Sequence, residues 1–177
     1  MPLEFRVAGI ADAEEITALV NEAYRPSAPN AGWTHETKLV SGDRTTVQQV
    51  LSLLHPQSAI LLLCVAAKIV ACVHVQGDPS GTAYIGMLAT DPKRQAQGLG
   101  KQMLGHAEAY AMAHFAASRF KMSVLSSRPE LLAFYERRGY APTGEVEDYP
   151  LSAGTGRPLV AGIHLLLLVK AAPETLP

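Results

Sequence analysis

The stretch RQAQGLGKQML, Arg94–Leu104, places Gly98 and Gly100 where a helix is predicted to begin. Glycine in a first helical turn costs about 0.5–1 kcal/mol relative to alanine, so two of them need a compensating role. A predicted strand ends just before this turn, and unpaired N–H groups at the start of the following helix attract anions, phosphates above all. Three basic residues flank the turn: Lys93, Arg94 and Lys101. The stretch therefore predicts an anion site, the alternative being a glycine-rich helix start that binds nothing.

Two common phosphate motifs do not fit this turn. A P-loop requires GxxxxGK followed by Ser or Thr, but Gln95 stands at the first glycine position and Gln102 at the last position. The dinucleotide motif GxGxxG would need glycine where Met103 stands, and it belongs in a parallel βαβ unit. These mismatches weaken a nucleotide-binding interpretation.

The composition is that of a globular protein. The chain has 177 residues, of which 48% are hydrophobic and 18% charged, so we expect one domain spanning residues 1–177. Fifteen Lys and Arg against sixteen Asp and Glu leave a formal charge of −1. This balance removes any general electrostatic argument for nucleic acid as a partner.

Apolar runs and cysteines indicate the compartment. The longest apolar runs, Ala59–Ala67 and Ile163–Val169, are far shorter than the ~20 residues needed to span a bilayer. The first residues lack the basic-then-apolar pattern of a signal peptide. Cys64 and Cys72 lie in apolar strand-like runs, which favours buried, reduced thiols over a disulfide. We expect a cytoplasmic protein without a membrane partner.

Hydrophobic periodicity predicts the element order βααβββαβαββ. Strands at 59–66, 68–76 and 82–90 are separated by short turns and should form an antiparallel meander. A long helix from Gly98 to about Ser118 should bury Leu99, Met103, Ala107, Tyr110 and His114. The other predicted strands are 4–7, 119–125, 140–149 and 160–170, and the other helices are 12–23, 45–54 and 129–139. This order is a mixed α/β layer protein.

Two motifs together resemble the GNAT N-acetyltransferase superfamily. The turn reads Q-x-x-G-x-G from Gln95 to Gly100, preceded by the strand end LATDP (Leu88–Pro92). Downstream, FYERRGY (Phe134–Tyr140) is similar to the second hallmark of that superfamily, a Tyr on a short helix that ends in Gly and an aromatic residue. The resemblance implies a mixed, mostly antiparallel sheet flanked by helices, and a transferase that moves an acetyl group from acetyl-CoA to an amine without a metal.

The resemblance also implies site residues. Backbone groups of Leu88, Ala89 and Thr90 would pair with the pantetheine arm, and Tyr135 would be the general acid beside the thioester sulfur. The strand 82–90 would carry a bulge and splay from its parallel neighbour. The pyrophosphate would be held by the turn residues Gln95, Ala96, Gln97, Gly98, Leu99, Gly100 and Lys101. The family often has glycine at Ala96 and asparagine at Arg128, so Arg128 either loses that contact or reaches a phosphate with its guanidinium.

The general base is less clear. Many relatives use a carboxylate or histidine on the strand before the turn, but Tyr84 and Gly86, the positions expected to share a face with Leu88, offer neither. If Gln76 faces Thr82, then His74 lies opposite Tyr84 and could accept a proton. His74 is otherwise a packed strand histidine with a satisfied hydrogen bond, and Tyr84 is otherwise a wall of the slot.

The loop after the first helix is where relatives usually build the acceptor site. Tyr24, Trp33 and Glu36 are its candidate substrate-binding residues. Trp33 is either a core anchor or a pocket wall, and Glu36 either pairs with an ammonium or is a solvated carboxylate. The resemblance implies a small-molecule or peptide amine as the acceptor, and it also allows a homodimer, since such enzymes are often dimers. The alternative is a GNAT-like module that binds or senses acyl-CoA without turnover.

Overall fold

The residues that the structure describes, 2–28, 32 and 34–174, form nine strands and four α-helices in a computed structural model. The strands are β1 Leu3–Val7, β2 Val40–Ser41, β3 Ser58–Val65, β4 Lys68–Gly77, β5 Thr82–Thr90, β6 Arg119–Leu125, β7 Ala141–Asp148, β8 Arg157–Pro158 and β9 His164–Ala171. The helices are α1 Ala13–Tyr24, α2 Val47–Ser52, α3 Leu99–Phe115 and α4 Pro129–Glu136.

Seven strands build one sheet in the order β1-β3-β4-β5-β6-β9-β7. Every neighbouring pair in it is antiparallel except β5 and β6, which are parallel. The predicted fold class, a mixed and mostly antiparallel sheet with flanking helices, is confirmed. The two-residue strands β2 and β8 pair separately, and no periodic pattern predicts elements this short.

The meander β3–β4–β5 forms as predicted from its apolar runs. Val65 pairs with Lys68 across a two-residue turn of Ala66 and Ala67, whose φ angles are 50° and 67°. Left-handed backbone matches the twist of a tight hairpin but normally calls for glycine or asparagine. This turn is therefore strained by its two alanine side chains.

Both faces of the sheet are covered. One face packs against α3 and α4 through residues such as Leu63, Met103 and Phe120. The other packs against α1 and α2 through residues such as Ile16 and Leu62. Cys64 and Cys72 also lie in this second core, so the predicted burial of both cysteines is confirmed.

Helix α3 buries a stripe that differs from the predicted one at its end. Leu99, Met103 and Ala107 are buried as expected, together with Leu104 and Ala111. His114 is exposed and stacks on Tyr110, with 3.9 Å between ring centroids. The prediction for His114 was wrong although a heptad step from Ala107 drifts by only about 20°: His114 lies in the last turn of α3, which ends at Phe115.

Helix α2 begins after Thr46, which caps its N-terminus. The Thr46 hydroxyl accepts a hydrogen bond from the Gln49 amide at 3.2 Å, and the Gln49 side chain accepts from the Thr46 amide at 3.0 Å.

Among the described residues, no helix is both long enough and apolar enough to cross a membrane.

Candidate active site

The site begins with a bulge in the middle of the sheet. Cys72 pairs with Ala89 and His74 pairs with Gly86, so β5 holds one more residue than β4 between these pairs. Met87 lies in the extra turn of backbone with φ of 50°. Beyond it β5 and β6 part, because their parallel pairing covers only Thr82–Tyr84. The predicted bulge and splay are confirmed, and they open a cleft between the two strands.

The bulge also reverses which face each later residue of β5 occupies. Met87 and Ala89 pack into the core beside α1 and α2, whereas Leu88 packs towards α3 and α4. Tyr84 and Gly86 precede the bulge on the α1 side of the sheet. The expectation that they share a face with Leu88 was wrong, because the added residue breaks the period-two alternation.

A cleft of about 360 Å³ lies at the splayed strand ends. Its walls come from the end of β5, the glycine turn, the start of α3, the helix α4 and the end of α1. Most of the predicted cofactor residues line it: Leu88, Ala89, Thr90, Gln95, Ala96, Gly98, Leu99, Gly100, Lys101 and Arg128. Tyr24 and Tyr135 line it as well, whereas Gln97 is exposed outside the cleft wall.

The start of α3 faces the cleft with bare backbone. Gly98 adopts φ of 79° at the N-terminal end of α3, where it contributes no side-chain cap. The first intrahelical bond in this turn runs from the Gln102 amide to the Gly98 carbonyl at 3.1 Å. The amides of Leu99, Gly100 and Lys101 therefore have no partner within the helix and can bind an anion. Ala96 also has positive φ, 63°, which explains why glycine suits this position in relatives.

The charge of the cleft matches a polyanion. Four cations line it, Arg94, Lys101, Arg128 and Arg138, and its described wall includes no Asp or Glu. Low-dielectric walls concentrate a field of one sign. Together with the free amides of α3, this donor set fits the phosphates of a coenzyme A thioester.

Tyr135 is buried at the opposite wall of the cleft. Its ring makes edge contacts with Phe134 and Tyr140, with centroids 5.2 and 6.1 Å away. Burial raises the pKa of the Tyr135 hydroxyl above its ordinary value. The hydroxyl is therefore protonated at neutral pH and can donate a hydrogen bond.

A buried ion network ties the loop after α1 to the start of α4. Glu36 is 4% exposed, and its Oε1 accepts from Arg25 Nη2 at 2.8 Å. Its Oε2 lies 3.5 Å from Arg128 Nη1. Arg128 also donates to the Thr34 hydroxyl, and its Nε lies 3.5 Å from Glu130 Oε1. The interpretation of Glu36 as a solvated carboxylate was wrong, because two arginines neutralise it in the interior.

This network limits what two predicted residues can do directly. An acceptor ammonium would have to compete with both arginines for Glu36. Arg128 faces the cleft, but its charge is already matched by Glu36 and Glu130, so a phosphate contact would likewise have a competitor. Trp33, the third predicted acceptor residue, lies outside the described residues.

His74 lies in the sheet beside the cleft rather than in its wall. It faces Gly86, and Tyr84 faces Gln76, so the expected direct pairing of His74 with Tyr84 was wrong. The register moves because Asp78, not Gly77, begins the turn, where its carboxylate accepts from the Ser80 amide at 2.7 Å. Because the strand register shifts by two residues, the rings of His74 and Tyr84 still lie on one face of the sheet, with their centroids 6.4 Å apart.

The environment of His74 is that of a packed histidine. Its Nε2 forms a 2.7 Å hydrogen bond with the Ser58 hydroxyl in the interior. Burial, with smaller contributions from His55 and Arg44, lowers the pKa of His74 to about 4. The ring is therefore neutral at pH 7, and the geometry favours the packing interpretation over a general base. Tyr84 is partly exposed and folds over Gly86, where a Cβ would lie 2.7 Å from its ring.

Sequence reasoning missed several residues of the cleft wall: Ala23, Thr34, Leu131, Phe134 and Arg138. Phe134 directly precedes Tyr135 in the motif FYERRGY, and this position next to a predicted site residue was the signal that could have indicated it. Arg138 gave no signal, because a charged residue near a helix end is usually solvated. Tyr24 was predicted, and burial raises the pKa of its hydroxyl to about 12.

Comparisons with known proteins agree with this site. Residues 14–140 match the model of the acetyltransferase (GNAT) family. Among solved structures, the chain resembles the ribosomal-protein-S18-alanine N-acetyltransferase from Escherichia coli, with 16% identity, a TM-score of 0.71 and coverage of 98% of this chain and 96% of that one. Nourseothricin acetyltransferase gives 16% identity, a TM-score of 0.68 and coverage of 98% and 100%. An N-acetyltransferase from Staphylococcus aureus Mu50 gives 13% identity, a TM-score of 0.71 and coverage of 98% of this chain and 100% of that one.

The chain belongs to the GNAT acetyltransferase family and is an acyltransferase. The family generally takes acetyl groups from acetyl-CoA and acts on amine acceptors of proteins or small molecules. No curated protein sequence matches the chain significantly. The three solved structures named above are each less than 25% identical to this chain, so they show the shared fold alone.

Proposed function

We propose that this protein transfers an acetyl group from acetyl-CoA to the primary amine of a small molecule or peptide within a ternary complex. The observation that carries the proposal is the cleft at the splay of β5 and β6. It combines bare amides at the start of α3, four cations, and a buried protonated tyrosine. These are the groups that a thioester of coenzyme A requires for binding and for cleavage.

The proposed reaction uses the groups of the cleft in order. The amides of the glycine turn hold the pyrophosphate, and the backbone of Leu88–Thr90 aligns the pantetheine arm. The neutral amine attacks the acetyl carbon, the carbon–sulfur bond breaks, and the thiolate takes a proton from Tyr135. The proton that the amine loses restores the tyrosine through solvent, so the products are the acetylated amine and coenzyme A.

The lining of the cleft indicates where the acceptor would bind. The acceptor end of the cleft lies between Tyr24, Thr34 and Arg128, which the buried network holds in place. Arg128, the cation at this end, is already paired with Glu36 and Glu130, so charge alone excludes no class of amine.

Thiol release tests the function. The protein is mixed with acetyl-CoA and each member of an amine panel: amino acids, dipeptides, polyamines and aminoglycosides. We expect free thiol to appear only when an accepted amine is present, with an equal amount of acetylated amine by mass spectrometry. Binding of acetyl-CoA with no release across the panel would instead favour the sensing module.

A further inference from the structure

We propose that Arg138 is a phosphate-binding residue whose guanidinium contacts a phosphate of the nucleotide half of acetyl-CoA. The inference rests on the proposed function and adds to it a side chain outside the glycine turn. It assigns the cation of the second motif, FYERRGY, a role that the motif itself does not indicate.

The side chain of Arg138 is held against the cleft. Its guanidinium carbon lies 3.6 Å from the centre of the Phe134 ring, and its Nη1 donates to the Phe134 carbonyl at 2.6 Å. The ring of Phe134 in turn faces the start of α3, since a Cβ on Gly100 would lie 3.5 Å from its Cζ atom. Phe134 therefore joins Arg138 to the bare amides that bind anions.

Arg138 lacks a counter-charge. Its Nε is fully buried and has no hydrogen-bond partner among the described residues, and no carboxylate of those residues forms an ion pair with it. Burial and the nearby Arg137 lower the pKa of Arg138. Arg128, the other arginine of α4, differs in having two carboxylates beside it. A bound phosphate would satisfy both the buried donor and the charge of Arg138.

The position of Arg138 selects the phosphates over the acceptor. Arg128 precedes α4 and Arg138 follows it, so the eight residues of α4, about 12 Å of helix, separate the two. Arg128 marks the acceptor end, where it contacts Thr34. Arg138 is at the other end, against Phe134, whose ring faces Gly100 at the start of α3.

Calorimetric titration of acetyl-CoA into Arg138→Met tests the assignment. Methionine keeps an unbranched stem on Phe134 and removes all donors, so binding should weaken about 10- to 100-fold, the effect of a lost charge-assisted hydrogen bond. The matched control is Arg137→Met, which removes the same charge from an exposed neighbour outside the cleft wall. That variant should bind within about twofold of the wild type.

Further arms separate charge from packing. The difference between wild type and Arg138→Met should shrink as salt increases, and Arg138→Lys should recover part of the affinity. With dephospho-coenzyme A, a loss that disappears assigns the 3′-phosphate and a loss that persists assigns the pyrophosphate. If Arg138→Met does not fold, Arg138→Lys and Arg138→Gln are compared instead.

Two results overturn the inference. One is wild-type affinity in Arg138→Met. The other is a loss that salt does not change and lysine does not restore, which indicates packing alone. The proposed function fails separately, and the inference with it, when the wild type itself does not bind acetyl-CoA.

Discussion

Gly100 offers a sharp test of the anion site, because a side chain there can be added without straining the backbone. It lies in the first turn of α3, and a Cβ would point into the cleft, 3.5 Å from Phe134 and 4.0 Å from the Thr90 hydroxyl. Gly105 lies in the same helix, and a Cβ there would meet nothing within 4 Å. Gly100→Glu and Gly105→Glu therefore make the same chemical change inside and outside the cleft.

The two variants should not lose stability without ligand. Glutamate in place of helical glycine adds about 0.5–1 kcal/mol of helix propensity. At position 100 the carboxylate also gains about 0.3–1 kcal/mol from the helix dipole. Unliganded Gly100→Glu should therefore melt at or above the wild-type temperature.

Ligand binding should separate the variants. Acetyl-CoA at ~100 times its dissociation constant stabilises the wild type by about 2.7 kcal/mol. For a chain of this length that energy raises the melting temperature by about 5–11 °C. Each pair of like charges about 5 Å apart costs roughly 1–3 kcal/mol, so a glutamate beside two phosphate charges should weaken binding at least ~30-fold. The stabilisation then falls below about 1 kcal/mol, a third of the wild-type shift.

A thermal-shift titration with acetyl-CoA, and with ATP as the control ligand, measures all three proteins. Wild type and Gly105→Glu should shift alike with acetyl-CoA, ATP should shift neither, and Gly100→Glu should hardly respond. A full acetyl-CoA shift in Gly100→Glu would refute the assignment of the anion site to the start of α3.

Four other variants have expected outcomes. Tyr135→Phe should leave acetyl-CoA affinity unchanged and lower the turnover number by about 10²–10⁴; a value within about threefold of wild type in the thiol assay would make the tyrosine a wall. His74 has a pKa of about 4 in the folded protein, below its ordinary 6.5. The contribution of its neutral ring to the free energy of unfolding is therefore full above pH 6.5 and is lost as the pH falls towards 4. Urea unfolding of His74→Gln should lack about 3 kcal/mol of the acid destabilisation of the wild type; parallel pH curves would contradict this. Replacing Ala66 by Asn and Ala67 by Gly should raise the free energy of unfolding by about 1 kcal/mol or more, since both have positive φ; a lower melting temperature would argue against the strain. Glu36→Ala should lower the free energy of unfolding by about 3–5 kcal/mol, because two arginines lose their buried partner. A loss under about 1 kcal/mol would show that the network is solvated.

Local patterns in the sequence were enough for the longer strands and the helices and for their order, but not for the two-residue strands β2 and β8. The strand 119–125 was predicted to the residue, and the Gly98 turn was recognised because glycine there conflicts with helix propensity. Such signals lie within a few residues of one another, so a linear reading can find them.

What the sequence did not indicate depends on residues that are distant along the chain. Arg25, Glu36 and Arg128 form one network only because α4 packs beside the loop after α1. The bulge was expected from the resemblance, but the reversal of faces at Leu88 follows from where the extra residue, Met87, lies. Each of these features is set by tertiary packing, which periodicity does not encode.

A crystal structure of the protein with acetyl-CoA tests the central claim most directly. We expect the pyrophosphate within about 3.2 Å of the amides of Leu99–Lys101, the usual length of such hydrogen bonds. We also expect the thioester sulfur beside the Tyr135 hydroxyl, in the splay between β5 and β6. A cofactor bound elsewhere, or a sulfur out of reach of Tyr135, would contradict that claim.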